Sequence, residues 1–273
     1  MKKCLGFLFL FCPLLLAAQN TCVVNNQAFQ SGELLTYRID YNWGAVWLET
    51  GEVSFNTTLI DLNNTKIFHF IGAGTTYKKY DWFFKVRDRY ESYADTLTLK
   101  PLRFIRDVSE GRNSAKDDYV FNSRKGKIYT AEERNKKPVK LDSIKLRSCT
   151  NDVLTAIFYA RCLDFSLYKA GDTIPITFVL DGKIYPSYMR YIGKEVINTE
   201  LFGMVRCIKF CPKLLEGTIF KAGEEMTVWA TDDENKIPIY VKTPITVGFI
   251  KVYLIKYSGL RNKMNCIIPK ATK

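Results

Sequence analysis

The chain is organised by alternation of hydrophobic and polar residues. Over 33–43, polar residues alternate with Leu35, Tyr37, Ile39, Tyr41 and Trp43. Such period-two alternation, rich in aromatic and β-branched residues, is typical of a half-buried strand. Similar patterns predict further strands at 52–59, 66–77, 81–93, 119–122, 127–130, 174–180, 204–210, 226–230, 237–241 and 247–257. Connections of turn length between these stretches predict an antiparallel arrangement.

One segment, near 151–164, departs from this pattern. Its apolar residues recur at helical spacing, and Thr150 or Asn151 is available as the N-cap. We therefore predict a mostly β fold with one principal helix. A chain with more than ten strands has to curl, close or split. We expect a large curled antiparallel sheet or open barrel, or two packed β-sheets. The helix would cover the open side or join two β lobes.

Residues 1–18 are predicted to form a signal peptide. Two lysines precede an apolar run over 5–16, and the small residues Ala17 and Ala18 follow. This order is that of a secretory leader, and the apolar run is too short to span a membrane. We expect a single β-rich domain over 19–273, no transmembrane segment after cleavage, and export to the periplasm of a Gram-negative bacterium.

Cleavage would leave six of the eight cysteines in the mature chain. In an exported protein, an even number of cysteines permits disulfides. Cys207 and Cys211 are four apart in a predicted strand and are too distant to bridge without a bulge. We favour a pair between Cys22 and Cys149, because each directly precedes a predicted regular element.

The composition excludes several chemistries. His69 is the only histidine, so a metal site built on a histidine pair is excluded. It lies in mid-strand among aromatic residues, where a structural role is a simpler interpretation than that of a catalytic base. The sequence also lacks a phosphate-binding loop, a nucleophile elbow and a calcium loop. We therefore name no catalytic residue, no metal site and no cofactor.

Adjacent acidic pairs are the remaining candidates for acid–base chemistry. They are Asp117-Asp118, Glu132-Glu133, Glu224-Glu225 and Asp232-Asp233. Neighbours in a strand point to opposite faces, so the two carboxylates of such a pair do not converge. Two carboxylates that are distant in sequence, as in a glycosidase, stay an open alternative.

Positive charge is concentrated in one part of the chain. The formal net charge is +12, and residues 100–147 contain 14 basic and 7 acidic residues. This segment is interpreted either as a basic face for an anionic membrane or polysaccharide, or as the solvated faces of hairpins. Export argues against nucleic acid as a partner.

Aromatic residues make up 14% of the chain and cluster in its N-terminal third. Tyr37, Tyr41, Trp43 and Trp82 are candidate ligand-binding residues of a groove for an apolar or sugar ligand. The alternative is that these rings form cross-strand pairs within a β core.

A series of local motifs runs through the chain. They are the segment 29–37, Trp43-Gly44, Gly51, the segment 151–156 with Tyr159 and Arg161, Gly171-Asp172, Gly203 before Cys207, and the segment 228–232 with Pro238 and Gly248. Over about 29–256 their order resembles an exported bacterial family called domain of unknown function 3108. The resemblance implies a periplasmic β-rich domain with no established activity and no catalytic residues. The end of the leader resembles those of Bacteroides-type bacteria.

Two functions stay open. The first is a non-enzymatic envelope protein that binds or carries an apolar or envelope-derived ligand, a lipid or glycan, and it predicts a continuous apolar cavity. The second is an envelope glycan hydrolase or transferase with unidentified carboxylates. It predicts carboxylates that converge in a cleft with raised pKa values.

Overall fold

The computed structural model describes residues 24–43, 46–214, 226–245 and 248–269, and for Trp43 it describes the backbone only. The predicted signal peptide, Cys22 and the Glu224-Glu225 pair lie outside the described residues. The division of the chain after residue 18 therefore stays a prediction. No helix in the described ranges is both long and apolar enough to cross a membrane.

The described residues form strands, one α-helix and two short 3₁₀ turns. The strands are β1 (Leu34–Trp43), β2 (Val46–Leu62), β3 (Thr65–Thr76), β4 (Val86–Asp95), β5 (Pro101–Glu110), β6 (Asn113–Asn122), β7 (Lys127–Arg134), β8 (Lys140–Lys145), β9 (Thr150–Asn151), β10 (Thr173–Leu180), β11 (Lys183–Thr199), β12 (Gly203–Pro212), β13 (Thr227–Thr231), β14 (Pro238–Pro244) and β15 (Phe249–Ser258). The helix α1 spans Val153–Arg161, and the 3₁₀ turns span Lys78–Tyr80 and Phe165–Leu167. The predicted mostly β fold with one principal helix is confirmed.

All the strands belong to one sheet of 15 strands. The sheet order runs from β8 in sequence down to β1, then to β15, and from β15 down to β9. Every neighbouring pair is antiparallel except the short β9–β10 pair. The chain thus starts in the middle of the sheet and zigzags out to one edge. It then crosses to the other edge and returns to pair β15 with β1.

The sheet is open between β8 and β9, but it curls until its two halves touch. The turn between β10 and β11 reaches strands β5 to β7, where Asp181 contacts Arg106 at 2.5 Å and Arg134 at 2.8 Å. Apolar residues of both halves share one buried cluster: Phe104, Tyr119, Phe121, Ile128 and Val179. The structure therefore has one curled sheet and not two lobes.

Helix α1 packs on the concave face of this sheet. Leu154 and Phe158 pack with Phe68 and Phe70 of β3 and with Phe29, which precedes β1. At the end of the helix, the guanidinium of the buried Arg161 forms an ion pair with the buried Glu33 at 2.5 Å. The concave face is therefore filled by side chains of the helix and of the segment before β1.

The predicted N-cap of the helix was wrong. Thr150 and Asn151 form β9 and pair with β10, so they are extended strand residues and not caps. Asp152 is the N-cap: its carboxylate accepts a hydrogen bond from the N–H of Thr155, whose hydroxyl accepts one from the N–H of Asp152. This reciprocal capping box begins the helix at Val153.

One further prediction from alternation was wrong. The stretch 81–93 is not one strand, since residues 81–85 are a loop and β4 begins at Val86. Within β3, the register is continuous through Gly72 and Gly74. Gly72 makes room for the helix, since a Cβ atom there would lie 3.0 Å from Leu154 Cδ2.

Candidate functional site

The predicted aromatic candidates do not share one groove. Tyr37 is only 4% exposed and packs edge-to-face on Phe55, with ring centroids 5.8 Å apart. Burial raises the pKa of its hydroxyl. Tyr41 is half-buried, the Trp43 side chain is not described, and Trp82 is 83% exposed. Tyr37 belongs to the core, whereas Trp82 presents its ring to solvent.

Trp82 lies in a loop that is stabilised by hydrogen bonds within the loop backbone and by the carboxylate of Asp81. The N–H groups of Phe83 and Phe84 both donate to the carbonyl of Tyr80. The carboxylate of Asp81 accepts from Thr76 Oγ1 at 3.0 Å and from Arg87 Nη2 at 2.7 Å. The loop is therefore built to keep three consecutive aromatic side chains on the surface.

Exposed apolar residues gather at this end of the sheet. Because neighbouring strands are antiparallel, the β3–β4 loop lies at the same end as the start of β2 and the start of β15. We call six exposed residues at this end the apolar rim: Val46 (57% exposed), Trp47 (39%), Trp82 (83%), Phe83 (52%), Phe84 (36%) and Phe249 (42%). Scattered exposed apolar residues are ordinary on a protein surface, but aromatic residues concentrated at one end indicate an interaction surface.

Lysine side chains accompany the rings of the apolar rim. Lys251 Nζ lies 3.9 Å from the centroid of the Trp47 ring, and Lys242 Nζ lies 5.5 Å from that of Phe249. In the β3–β4 loop, Lys79 Nζ lies 5.0 Å from the centroid of the neighbouring Tyr80 ring. These ammonium groups are close enough for cation–π attraction, so the rim combines apolar area with positive charge.

A carboxyl pair lies on the sheet near the same end. Asp88 of β4 and Glu110 of β5 lie near each other on paired strands, where each affects the pKa of the other. Burial, together with the charge of Glu110, raises the pKa of Asp88 to about 7. Burial also raises the pKa of Glu110. The two groups therefore hold a proton between them under conditions in which an ordinary carboxyl has lost it.

Next to this pair, a polar cluster joins the halves of the sheet. It comprises Arg106, Asp117, Tyr119, Glu132, Arg134 and Asp181. Asp117 pairs with both arginines, and its burial raises its pKa although they oppose that shift. The Tyr119 hydroxyl donates to Glu132 and accepts from the N–H of Gly182 at 2.9 Å. Every charged side chain of this cluster faces an opposite charge, which indicates a structural role.

Of the acidic pairs named from the sequence, Asp117-Asp118 separates onto two faces, as expected, whereas Asp232-Asp233 lies in a connection and not in a strand. Asp117 is buried in the polar cluster, whereas Asp118 is half-buried and pairs with Arg103 at 2.6 Å. The carboxyls that do converge, Asp88 and Glu110, were missed. They lie on different strands, and only the pairing of β4 with β5 brings them together.

His69 has the surroundings of a structural residue. Its Nε2 lies 2.8 Å from a carboxylate oxygen of Glu91, and its ring stacks on Tyr93 with centroids 4.5 Å apart. Among the described residues, no group of three or more His, Cys, Asp or Glu side chains is placed to hold a metal ion.

Cys149 is disulfide-bonded. Of the other described cysteines, Cys162, Cys207, Cys211 and Cys266 are free, so Cys207 and Cys211 do not bridge. Cys22 is outside the described residues, and its pairing with Cys149 stays a prediction.

Two small cavities lie in the described part of the molecule. One of about 290 Å³ is lined largely by charged side chains of β5 and β6, among them Asp107, Lys116 and Asp118. The other, of about 330 Å³, lies along the segment from Tyr257 to Ile267. Neither is the continuous apolar cavity that a carrier protein would need, and the concave face is filled by α1.

Comparison with solved structures places the fold among curled β proteins. The chain is similar to a beta-barrel-like protein of domain of unknown function DUF1849 from Brucella abortus. The TM-score is 0.57 and the identity 11%, and the match covers 85% of this chain and 99% of the other. At this identity the likeness concerns the fold alone.

The family follows from the sequence of the same region. A family model described as protein of unknown function (DUF3108) matches residues 36–255, and the chain belongs to this family. Comparison with curated proteins finds no match.

Proposed function

We propose that the protein is an exported, non-enzymatic cell-envelope protein that binds the apolar part of an envelope lipid at its surface. The observation that carries the proposal is the loop Trp82–Phe84, in which Trp82 is 83% and Phe83 is 52% exposed. Full burial of one large apolar side chain contributes about 1.5–3 kcal/mol. Covering both rings with a lipid chain would therefore contribute a binding free energy of several times the thermal energy RT.

In this proposal the lipid binds at the protein surface and is not carried inside the curled sheet. The sequence-based hypothesis placed the ligand inside the curled sheet, but helix α1 and the aromatic cluster around Phe70 and Phe158 fill the concave face. The exposed loop supports binding without an internal cavity. Export rests on the predicted signal peptide at 1–18, and periplasmic location in a Bacteroides-type bacterium is part of the proposal.

A titration with a short-chain, monomeric phospholipid tests the proposal. We expect the wild-type protein to bind it and Trp82→Ala to weaken binding about tenfold, since the variant removes the most exposed ring. Leu97→Ala is the matched control, because Leu97 is 79% exposed at the other end of the sheet. Equal binding by wild type and Trp82→Ala would contradict the proposal.

Native mass spectrometry of protein purified from its own periplasm identifies the ligand. A co-purifying lipid supports the proposal. A co-purifying glycan without lipid, or clean protein that also fails to bind the short-chain phospholipid, contradicts it.

An envelope glycan hydrolase or transferase is the second candidate function, favoured by the raised pKa values of Asp88 and Glu110. Their geometry argues against it. The carboxyl groups of a glycosidase flank the scissile bond on opposite sides of a cleft, whereas Asp88 and Glu110 lie side by side on adjacent strands of the sheet. Turnover of purified cell-wall glycan that is lost in Asp88→Asn would establish this alternative.

A further inference from the structure

The connections around the apolar rim carry positive charge. The described connections 77–85, 111–112 and 135–139 lie at the rim end of the sheet. They contain six basic residues, Lys78, Lys79, Lys85, Arg112, Lys136 and Lys137, and one acidic residue, Asp81. Asp81 is already paired with Arg87 at 2.7 Å. The β10–β11 turn at the same end adds Asp181, which is paired with Arg106 and Arg134. The six basic side chains belong to exposed residues.

The opposite end of the sheet carries charges of both signs, since its connections 96–100, 123–126 and 146–149 contain Lys100, Arg124, Lys125 and Arg147. The connection 232–237 contains the acidic residues Asp232, Asp233 and Glu234 and one lysine, and Glu200 adds a further exposed carboxylate. Its exposed apolar residues are mainly aliphatic, among them Leu62, Leu97 and Leu201, and Tyr257 is 37% exposed there. Among the described residues, the exposed aromatic rings with a lysine over them, Trp47 and Phe249, lie at the rim end.

This combination matches the boundary between the headgroups and acyl chains of a membrane. Tryptophan rings are enriched at that depth because they are amphipathic. Lysines next to them are attracted to anionic headgroups and are screened by salt. The rings of Trp82 and Phe83 project from a loop, so they can enter the interface without any change in the sheet.

We propose that the apolar rim docks the protein on an anionic phospholipid membrane surface, with the basic connections 77–85, 111–112 and 135–139 against the headgroups. This inference rests on the proposed function and names its partner: the lipid is bound as a surface and not as a single extracted molecule. Charge complementarity between the basic connections and an anionic membrane selects this partner.

Vesicle flotation tests the inference. We expect wild-type protein to float with vesicles of phosphatidylglycerol and phosphatidylethanolamine and to remain behind with vesicles of phosphatidylcholine alone. The double variant Trp82→Ala/Phe83→Ala should reduce the bound fraction about tenfold or more. High salt should also release the wild-type protein.

Two charge-reversal variants distinguish binding through the rim from a general effect of net charge. Lys78→Glu/Lys79→Glu reverses two charges in the rim loop, and Arg124→Glu/Lys125→Glu reverses two in the exposed β6–β7 turn at the other end. We expect the first variant to lose vesicle binding and the second to keep it. Equal loss in both variants, or equal flotation of wild type with phosphatidylcholine, would overturn the inference.

These outcomes are distinct from failure of the proposed function. If vesicle binding is absent while the short-chain phospholipid still binds and depends on Trp82, the membrane inference fails and the proposed function stands. If Trp82→Ala leaves short-chain binding unchanged, the proposed function fails. Binding of the short-chain phospholipid by Lys78→Glu/Lys79→Glu without vesicle binding supports both.

Discussion

Asp88 and Glu110 show how a pair of residues can make the stability of the whole protein depend on pH. Burial and the charge of Glu110 raise the pKa of Asp88 from its ordinary value of 3.8 to about 7. The folded state therefore binds a proton that the unfolded state has released between these two values. Stability contributed by this proton is complete below about pH 4 and is lost as the pH rises through about 7.

Asp88→Asn should remove this pH dependence. The asparagine keeps an oxygen for the N–H of Ser109, which donates to Asp88 Oδ1 at 3.1 Å, and its amide can donate to Glu110. We expect the melting temperature of the wild type to fall relative to that of the variant between about pH 5 and pH 7. Thermal unfolding monitored by circular dichroism measures the difference.

Asp107→Asn is the control for this prediction. Asp107 lies on β5, the strand of Glu110, but its side chain is 58% exposed and pairs with Lys116. Parallel pH profiles for the wild type and Asp107→Asn are expected. A profile of Asp88→Asn that is parallel to that of the wild type would show that Asp88 titrates normally.

Burial also explains which residue-level features could be predicted from the sequence. The structural interpretation of His69 follows from its aromatic neighbours in sequence, and the structure adds Glu91 as its partner. The partnership of Glu33 with Arg161 could not be predicted, because it joins residues far apart in the chain. Both lie within segments that carry the family resemblance, and a buried ion pair between them is a physical reason for their presence there.

At the scale of elements, α1 depends on one carboxylate. Asp152 is fully buried, accepts from the hydroxyl of Ser92 at 2.5 Å, and caps the helix through Thr155. Burial raises its pKa to about 6. The same side chain thus begins the helix and ties it to β4.

Asp152→Ala should destabilise the protein by about 2–3 kcal/mol, since it removes an N-cap and leaves a buried hydroxyl without its acceptor. The midpoint of urea unfolding measures the loss. Asp164→Ala is a matched control, because Asp164 is itself exposed and caps the 3₁₀ turn Phe165–Leu167. We expect that control to cost less than about 1 kcal/mol. Similar losses in both variants would argue against the special role of Asp152.

Alternation predicted many of the strands and failed where polar residues face the interior. Strand β5 was missed because the buried Arg106 stands between Phe104 and Val108 on the inward face, which breaks the apolar pattern. The loop 81–85 was mistaken for a strand because its consecutive aromatic residues mimic a buried β segment. Strands β8 and β11 were also missed.

At the scale of the whole molecule, the open sheet depends on the contact between its halves. The β10–β11 turn places Asp181, with a φ of 47°, and Gly182, with a φ of 62°, against the polar cluster. Asp181 is the part of this turn that both Arg106 and Arg134 bind. We infer that this contact limits how far the halves separate at the gap between β8 and β9.

Asp181→Asn tests this role, because asparagine tolerates a positive φ and removes only the charge. Hydrogen exchange measured by mass spectrometry should become faster in β10, β11 and β7, while α1 and β3 stay protected. Asp142→Asn on the exposed edge strand β8, where Asp142 pairs with Lys140 at 3.6 Å, should leave exchange in β10 and β11 unchanged. Unchanged exchange in Asp181→Asn would show that the apolar cluster alone holds the halves together.

The order of the strands in the sheet could not be predicted from the sequence. Local patterns mark where strands begin and end, but the pairing of β1 with β15 depends on contacts between the two ends of the sheet-forming chain. The same is true of the contact between Asp181 and the arginines of the other half. Short connections predicted antiparallel neighbours, and this local part of the topology is confirmed.

The pairing of β1 with β15 has a consequence for biosynthesis. The first strand made is the neighbour of the last one, so a nascent chain exposes an unpaired edge on β1 until β15 has left the ribosome. Exposed edges recruit other strands, and pairing of distant segments is slow. The pairing that forms last, between β1 and β15, therefore lies in the middle of the sheet. A chain that stops before β15 leaves the edge of β1 unpaired and becomes a template for aggregation.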